Sequence, residues 1–217
     1  MAAGREAAGG APSALKAPVE AILLAAGESR RMGFPKPLLR LNSRTFIEVL
    51  IGAIVPNVAR LIVVVGAHGS AVREAIPADP RILVVDNPEY LRGQLSSIKA
   101  ALPHVGSQAS GALIHLADHP MVRTATFAAV IDGYRRLGKP IAIARYQGRR
   151  GHPVVFAREL FGELAIAPDE QGARVVVAAD PARIAYVDVD DPGVLTDLDT
   201  PEDLDQAGLD RPELSKG

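Results

Sequence analysis

The sequence predicts an α/β fold built around a mostly parallel sheet. Short runs of consecutive apolar residues recur along the chain, as is typical of strands that are buried on both faces. Segments with helix-start signals or a helical period lie between these runs. Ligands of such sheets bind at the carboxyl ends of the strands, so we expect the functional site there.

The strands of the first two thirds are predicted from short, largely apolar runs. These runs are residues 19–24, 61–65, 82–85, 112–116 and 141–144. Between them, Thr45 and Glu48 form a capping-box pattern, which predicts a helix that ends at about Ile54. Residues 68–76 predict a second, short helix, closed by Pro77.

Two further helices complete the alternation. Residues 93–102 predict one, with Ser96 or Ser97 as its N-cap. The apolar residues of the other follow the i, i+3, i+4, i+7 spacing of one helix face. They are Phe127, Val130, Ile131 and Tyr134.

The regular alternation ends after residue 145. Residues 146–153 (YQGRRGHP) predict a basic, glycine-rich turn, and residues 154–156 predict a short strand. An acidic loop, 168–174, leads to a short helix, and 184–189 is another strand. Thr200 then caps a final helix. We interpret this half as an extension of the same sheet that covers the site.

One folded domain is expected over residues 18–210, with a flexible N-terminal segment at 1–17 and a tail at 211–217. Apolar residues make up 48% and charged residues 23% of the chain. A net charge of -1 argues against a nucleic-acid or membrane surface as the main function. The chain has no cysteine, and no apolar run approaches the ~18 residues that span a bilayer. We therefore expect a cytoplasmic protein without nucleic-acid or membrane partners.

The loop that follows the first strand is the strongest functional signal. Small residues at 25–27 allow a ligand close to the backbone, and Arg31 and Lys36 supply cations. This pattern favours a nucleoside triphosphate or another polyanion. The dinucleotide fingerprint and the P-loop both fail on spacing, because five residues separate Gly27 from Gly33 and Pro37 follows Lys36. A turn without function would explain Gly27 alone.

Carboxylates are expected at the same edge of the sheet. Asp118 follows the fourth strand, where it could hold Mg²⁺ together with phosphate oxygens or simply form a turn before Pro120. Asp197 and Asp199 precede the last helix and could ligate metal, cap the helix, or do both.

Histidines and arginines near the predicted site are less informative. His152 could donate to a phosphate or stand in a turn, and Arg149 and Arg150 could clamp an anion if their loop covers the site. His119 lies beside Asp118 and could shape the site, whereas His115 has no visible partner. The nucleophile elbow Gly-x-Ser-x-Gly is absent, so Ser-His-Asp chemistry has no support.

Residues 24–33 (LAAGESRRMG) followed by Lys36 resemble the signature of the MobA-like nucleotidyltransferases. Further segments match that family in order, over about residues 19–207. They are Asn87-Pro88, residues 93–97 (GQLSS), 117–120 (ADHP), 151–156 (GHPVVF), 172–174 (GAR) and 197–203 (DLDTPED). The Ala25-Ala26-Gly27 form is similar to the branch of molybdenum cofactor cytidylyltransferases. His119 and Gln94-Leu95 depart from the usual Gln and Met-Ser.

The resemblance implies a Rossmann-like three-layer sandwich with a mixed sheet, of nucleotidyltransferase type. It implies transfer of a nucleoside monophosphate, with CTP as the favoured donor, to a phosphorylated acceptor such as molybdopterin. Mg²⁺, or Mn²⁺ in its place, is the implied cofactor, with Asp118 and Asp199 or Asp197 as ligands. A molybdenum hydroxylase is an expected transient partner.

The same resemblance assigns roles to individual residues. Arg31, Lys36 and Asp118 are the expected catalytic residues, and His152 and Arg174 are expected to face the acceptor. The expected nucleotide-binding residues are Leu24, Ala25, Ala26, Gly27, Arg31, Lys36, Asn87, Gly93, Ser96 and Asp118.

Other functions stay open at this point. A sugar- or alditol-phosphate acceptor is the main competitor within the transferases. A cofactor-delivery module would bind ligand without releasing pyrophosphate, and a dinucleotide-dependent oxidoreductase lacks its fingerprint. The base, the acceptor and the oligomeric state are not determined by the sequence.

Overall fold

The structure is a computed structural model that describes residues 17–211, so the predicted terminal segments lie outside it apart from residues 17 and 211. The strands are β1 (Val19–Ala25), β2 (Arg40–Leu41), β3 (Arg44–Thr45), β4 (Leu61–Val65), β5 (Ile82–Asp86), β6 (Gly111–Leu116), β7 (Ile141–Tyr146), β8 (Arg149–Ala157) and β9 (Ile184–Asp188). The helices are α1 (Phe46–Ile54), α2 (Gly69–Glu74), α3 (Gln94–Ala101), α4 (Thr124–Leu137), α5 (Phe161–Ile166), α6 (Arg174–Ala178) and α7 (Pro201–Gln206).

The main sheet is mixed and mostly parallel, as predicted. Its strand order is β5-β4-β1-β6-β8-β7-β9. The pairs β5-β4, β4-β1, β1-β6 and β7-β9 are parallel, whereas β8 runs antiparallel to both neighbours. The predicted turn at 146–153 was therefore too long, since strand β8 begins at Arg149. The chain reverses direction between β7 and β8 at Gln147 and Gly148, which both have positive φ.

Helices pack on both faces of the sheet, which confirms the three-layer architecture. Along β1, Ala21 and Leu23 belong to the apolar cluster that includes α1 and α4. Ile22 and Leu24 belong to the opposite cluster, which includes α3 and α5. Alternate residues of a strand point to opposite faces, so a strand covered on both faces is almost entirely apolar in sequence. In β1 only Glu20 interrupts the apolar residues. This explains why β1 was recognisable from sequence.

Helix starts were predicted correctly where a capping box was present. Thr45 accepts a hydrogen bond from the Glu48 amide, and Glu48 accepts one from the Thr45 amide. The Thr200 cap forms the same reciprocal pair with Asp203. The N-cap predicted at Ser96 or Ser97 is wrong, because α3 begins at Gln94 after Gly93, whose φ is 105°. Only glycine adopts that φ readily, so the turn needs Gly93.

The carboxyl edge of the sheet brings the predicted site segments together. β1 pairs in register with β4 and β6, so the strands end side by side. The Ala117 amide donates to the Leu24 carbonyl at 3.0 Å, which places the segment after β6 beside the loop after β1. The Leu198 amide donates to the Asp118 carbonyl at 2.9 Å. That bond brings residues 197–199 to the same edge.

Candidate active site

The loop after β1 is held by its own backbone and by Ser29. The Ser29 carbonyl accepts from the amides of Met32 and Gly33, both at 3.0 Å. Its hydroxyl accepts from the Lys36 amide at 3.0 Å. Met32 is buried against the cluster that contains Phe46. The loop therefore has a defined shape that directs Lys36 toward the sheet edge.

This loop borders a first cavity of about 320 Å³ at the carboxyl ends of β1 and β6. Nine of the residues predicted to act at the site line it: Leu24, Ala25, Ala26, Gly27, Arg31, Lys36, Gly93, Asp118 and Asp199. Tyr90, Gln94 and Ser97 also line it and were not among the residues assigned from sequence. The floor is backbone and small side chains, which leaves room for a planar base and a phosphate chain.

The charged groups of the first cavity are paired with one another. Lys36 Nζ donates to Asp118 Oδ2 at 3.2 Å and also to Asp199 Oδ1. Arg31 Nη2 lies 2.5 Å from Asp199 Oδ2. Partial burial raises the pKa of Asp199, but the hydrogen bonds and charges of Lys36 and Arg31 outweigh it and lower the pKa overall. Asp199 is thus held as a carboxylate beside the cations.

The donor set of this cavity fits a divalent cation that shares its ligands with phosphates. Asp118 and Asp199 both line the cavity, and the buried Asp118 Oδ1 has no hydrogen-bond partner among the described residues. Between residues 17 and 211, no group of three His, Asp or Glu side chains is placed to hold a metal by itself. Mg²⁺ needs only one or two carboxylates when substrate phosphates complete its shell. Asp197 is exposed and does not line the cavity, so geometry favours Asp199 as the second ligand.

A second cavity of about 520 Å³ adjoins the first. Gly93 and Gln94 line both cavities. The second cavity has an apolar wall formed by Ile98, Ile114, Ile143, Val154, Phe156 and Val177. Its cationic side chains are Arg92, Arg150 and Arg174. Asp169, Glu170 and Gln171 add polar groups to the same lining, so a ligand that combines a flat ring system with a phosphate suits it.

His152 and Arg174, the predicted acceptor contacts, both line this second cavity. Burial, followed by the charge of His119, lowers the pKa of His152 from 6.5 to about 4, so the ring is neutral at pH 7. Its buried Nδ1 has no hydrogen-bond partner among the described residues. His152 can therefore offer a hydrogen bond to a ligand but no positive charge. Arg174 donates through Nε to the Gln171 carbonyl at 2.9 Å.

A cluster of three histidines was missed in the sequence. The His152 ring centroid lies 5.4 Å from that of His119 and 6.3 Å from that of His115. His115 Nε2 lies 3.1 Å from the His119 carbonyl oxygen, a contact that braces the turn containing Asp118. Burial, with the neighbouring His152 and His119, lowers the pKa of His115 well below 6.5. A histidine inside the otherwise apolar run 112–116 was the available signal.

Asn87 and Ser96 are placed beneath the first cavity rather than on its surface. Both are buried, and Asn87 Nδ2 donates to the hydroxyls of Ser96 and Ser97 at 2.9 Å. The Ser96 hydroxyl donates to the carbonyls of Glu89 and Gly93. These bonds shape the turn that presents Gly93 and Ser97. Direct contact of Asn87 or Ser96 with nucleotide stays a prediction.

Residues 21–184 match the model of the MobA-like NTP transferase domain. The chain belongs to this family. The match extends over β1, the loop with Lys36, Asp118 and the second cavity as far as the start of β9. The mixed sheet with β8 antiparallel is therefore the family's nucleotidyltransferase fold.

Relatives within and near the family are transferases. The chain is 26% identical over 190 residues to the molybdenum cofactor cytidylyltransferase of Escherichia coli, which covers 86% of this chain and 93% of the relative. It is 33% identical over 205 residues to the molybdenum cofactor guanylyltransferase of Sinorhizobium fredii, with 86% and 89% covered. The chain is therefore a nucleotidyltransferase related to both kinds of enzyme.

Solved structures share the fold of this chain. The crystal structure of Rv0371c from Mycobacterium tuberculosis is 33% identical and superposes with a TM-score of 0.74 over 88% of this chain and 96% of that one. A second structure of that protein, in complex with manganese, is 30% identical with a TM-score of 0.71, over 87% of this chain and 97% of that one.

Within the described part of this chain, no helix has the length and apolar character needed to cross a bilayer.

Proposed function

We propose that the protein transfers CMP from CTP to the phosphate of molybdopterin or a molybdenum cofactor and releases pyrophosphate. The observation that supports this most directly is the pair of adjoining cavities. One has paired carboxylates and cations suited to a triphosphate, and the other has an apolar wall with an arginine rim. They meet at Gly93 and Gln94, where the two substrates would react.

The acceptor proposal rests on the composition of the second cavity. A sugar phosphate presents many hydroxyls, which need polar partners when they are buried. Here six aliphatic or aromatic side chains form one wall. The flat faces of a fused heterocycle such as a pterin gain from this surface, and its polar edge can meet Glu170 and Gln171, which line the same cavity. A phosphate gains from the arginines.

The chemistry requires positioning and charge neutralisation rather than a protein nucleophile. An oxygen of the acceptor phosphate forms a bond to the α-phosphorus of CTP, and the bond from that phosphorus to the β-phosphate oxygen breaks. Lys36 and Arg31 would neutralise the phosphates and the departing pyrophosphate. Asp118 and Asp199 would hold Mg²⁺, or Mn²⁺, which supplies further neutralisation of phosphate charge.

The choice of CTP is supported by the Ala25-Ala26-Gly27 form of the loop and by the cytidylyltransferase relative. The guanylyltransferase relative, at 33% identity, makes GTP the competing donor. A transient contact with a molybdenum hydroxylase, which would receive the product, belongs to the same proposal.

A pyrophosphate-release screen tests the proposal. CTP, GTP, ATP and UTP are each combined with molybdopterin or with hexose and alditol phosphates, with and without Mg²⁺. We expect release with CTP, molybdopterin and Mg²⁺ together. Pyrophosphate release with GTP instead of CTP would show that GTP is the donor. Release with a sugar phosphate instead of molybdopterin would overturn the proposed acceptor. Ligand binding without any release would indicate a delivery module instead.

A further inference from the structure

A buried carboxylate, Asp169, joins a loop that lines the second cavity to Lys99 of α3 and to Arg92, which precedes that helix. Its side chain is 5% exposed and accepts a hydrogen bond from Lys99 Nζ at 2.7 Å. Its Oδ2 also forms an ion pair with Arg92, whose Nη2 lies 2.8 Å away. Lys99 Nζ also donates to the Ala167 carbonyl at 2.7 Å. Lys99 thus supplies one cation to Asp169 and anchors its loop, and Arg92 is a second cation on the same carboxylate.

Arg92 lies where the two cavities meet. It lines the second cavity and directly precedes Gly93 and Gln94, which line both. Its side chain remains 59% exposed even though Nη2 is ion-paired with buried Asp169. A long side chain held by one fixed carboxylate loses conformational freedom before a ligand arrives, which lowers the cost of binding.

We infer that Arg92 binds the phosphate of the acceptor and that Asp169 positions Arg92 for this contact. The inference rests on the proposed function, because it takes the second cavity as the acceptor site. A guanidinium presents a planar pair of donors that matches two phosphate oxygens. Arg92 then holds the attacking phosphate beside the boundary with the nucleotide cavity.

One exposed group competes with the phosphate. Glu89 accepts from Arg92 Nη1 at 3.2 Å through both carboxylate oxygens, and its side chain is 62% exposed. Exposed ion pairs contribute little, so a phosphate displaces Glu89 at small cost. The contact with buried Asp169 persists, and the guanidinium then bridges Asp169 and the acceptor phosphate.

The test uses a fluorescent probe of the expected chemistry, 6-hydroxymethylpterin monophosphate, and the same pterin without phosphate. Both are titrated into the full chain. We expect the wild type to prefer the phosphorylated probe and Arg92→Ala to lose that preference by on the order of tenfold, as expected for a charge-assisted hydrogen bond. Arg92→Lys should retain part of it. Glu89→Gln leaves Arg92 in place and should tighten binding of the phosphorylated probe.

Arg183→Ala is the matched control, because Arg183 also pairs with a carboxylate, Glu163, and does not line the cavity. Asp169→Asn should weaken binding of the phosphorylated probe when Arg92 is present. It should have no such effect in the Arg92→Ala background. Equal effects in both backgrounds would show that Asp169 has only a structural role and overturn its positioning role.

Unchanged phosphate preference in Arg92→Ala, or no preference in the wild type, overturns the role of Arg92. The pyrophosphate screen separates this result from the proposed function. If the wild type releases pyrophosphate but Arg92→Ala keeps the full preference for the phosphorylated probe, only the inference about Arg92 is wrong. If phosphate binding depends on Arg92 but no pyrophosphate is released, only the proposed function is wrong.

Discussion

Lys36 is the central cation of the first cavity. Its Nζ contacts Asp118 and Asp199, which lie 82 and 163 positions away in the sequence. The lysine pairs with both carboxylates, and in the proposed complex a triphosphate would offer it further oxygens. Its side chain is 14% exposed, so its charge is only weakly screened by solvent.

Replacement of Lys36 tests this role. Lys36→Ala should lower kcat by about 100-fold or more, because charge on the pyrophosphate would go uncompensated. Steady-state pyrophosphate release is the measurement. Lys139→Ala removes an exposed lysine outside both cavities and should behave as wild type. Near-normal kcat in Lys36→Ala would contradict the assignment.

The two candidate metal ligands near α7 can be separated by a matched pair of amides. Asp199→Asn should raise the Mg²⁺ concentration needed for half-maximal turnover by about tenfold or more, because one carboxylate ligand is lost. Asp197→Asn should leave it unchanged, because Asp197 is exposed and outside the cavity. The reverse order of effects would make Asp197 the ligand.

His152 predicts a pH dependence of stability. Burial lowers its folded-state pKa from 6.5 to about 4, so between these values the unfolded chain binds the extra proton. The contribution of His152 to the free energy of unfolding should be constant above pH 6.5. As the pH drops from 6.5 toward 4, this contribution should fall by at most about 1.4 kcal/mol per pH unit. Urea titrations from pH 8 to pH 4 measure it. In His152→Gln the fall over this window should be shallower, and an unchanged slope would contradict the claim.

Helix α4 ends at a glycine in the left-handed conformation. Gly138 has φ 63° and ψ 23° and donates its amide to the Tyr134 carbonyl, which closes the last turn. A side chain would meet no atom within 4 Å there, so only backbone strain opposes one. The cost of a substitution therefore reports on conformation alone.

A pair of glycine substitutions isolates that strain. Gly138→Ala should destabilise the fold by about 1 kcal/mol, the cost of the left-handed conformation. Gly162, inside α5, also has nothing within 4 Å of an added Cβ and has no positive φ. Gly162→Ala should instead stabilise by about 0.5–1 kcal/mol. Thermal unfolding measures both variants. Shifts of the melting temperature in the same direction for Gly138→Ala and Gly162→Ala would contradict this account.

β1 lies at the centre of the fold, between β4 and β6, with helices on both faces. Each of its residues is buried. A cavity made in this strand is enclosed by atoms from both the sheet and a helix layer, so neighbouring groups can collapse into it only in part.

Leu23→Ala should cost about 2–5 kcal/mol of unfolding free energy. Ile166→Ala removes an aliphatic side chain that is 85% exposed and should change stability by less than about 0.5 kcal/mol. Urea denaturation compares the two. A loss below about 1 kcal/mol in Leu23→Ala would mean that the core relaxes around β1.

The sequence by itself determined the strands that are buried on both faces, the capped helices and the loop with Lys36. Each is encoded locally, by largely apolar runs, by reciprocal caps or by a contiguous motif. The tertiary structure alone decided that β8 runs antiparallel between β6 and β7 and that Asp199 rather than Asp197 enters the first cavity. It also decided the meeting of Arg92 with Asp169. These contacts join distant segments through strand register and burial, which no local spacing specifies.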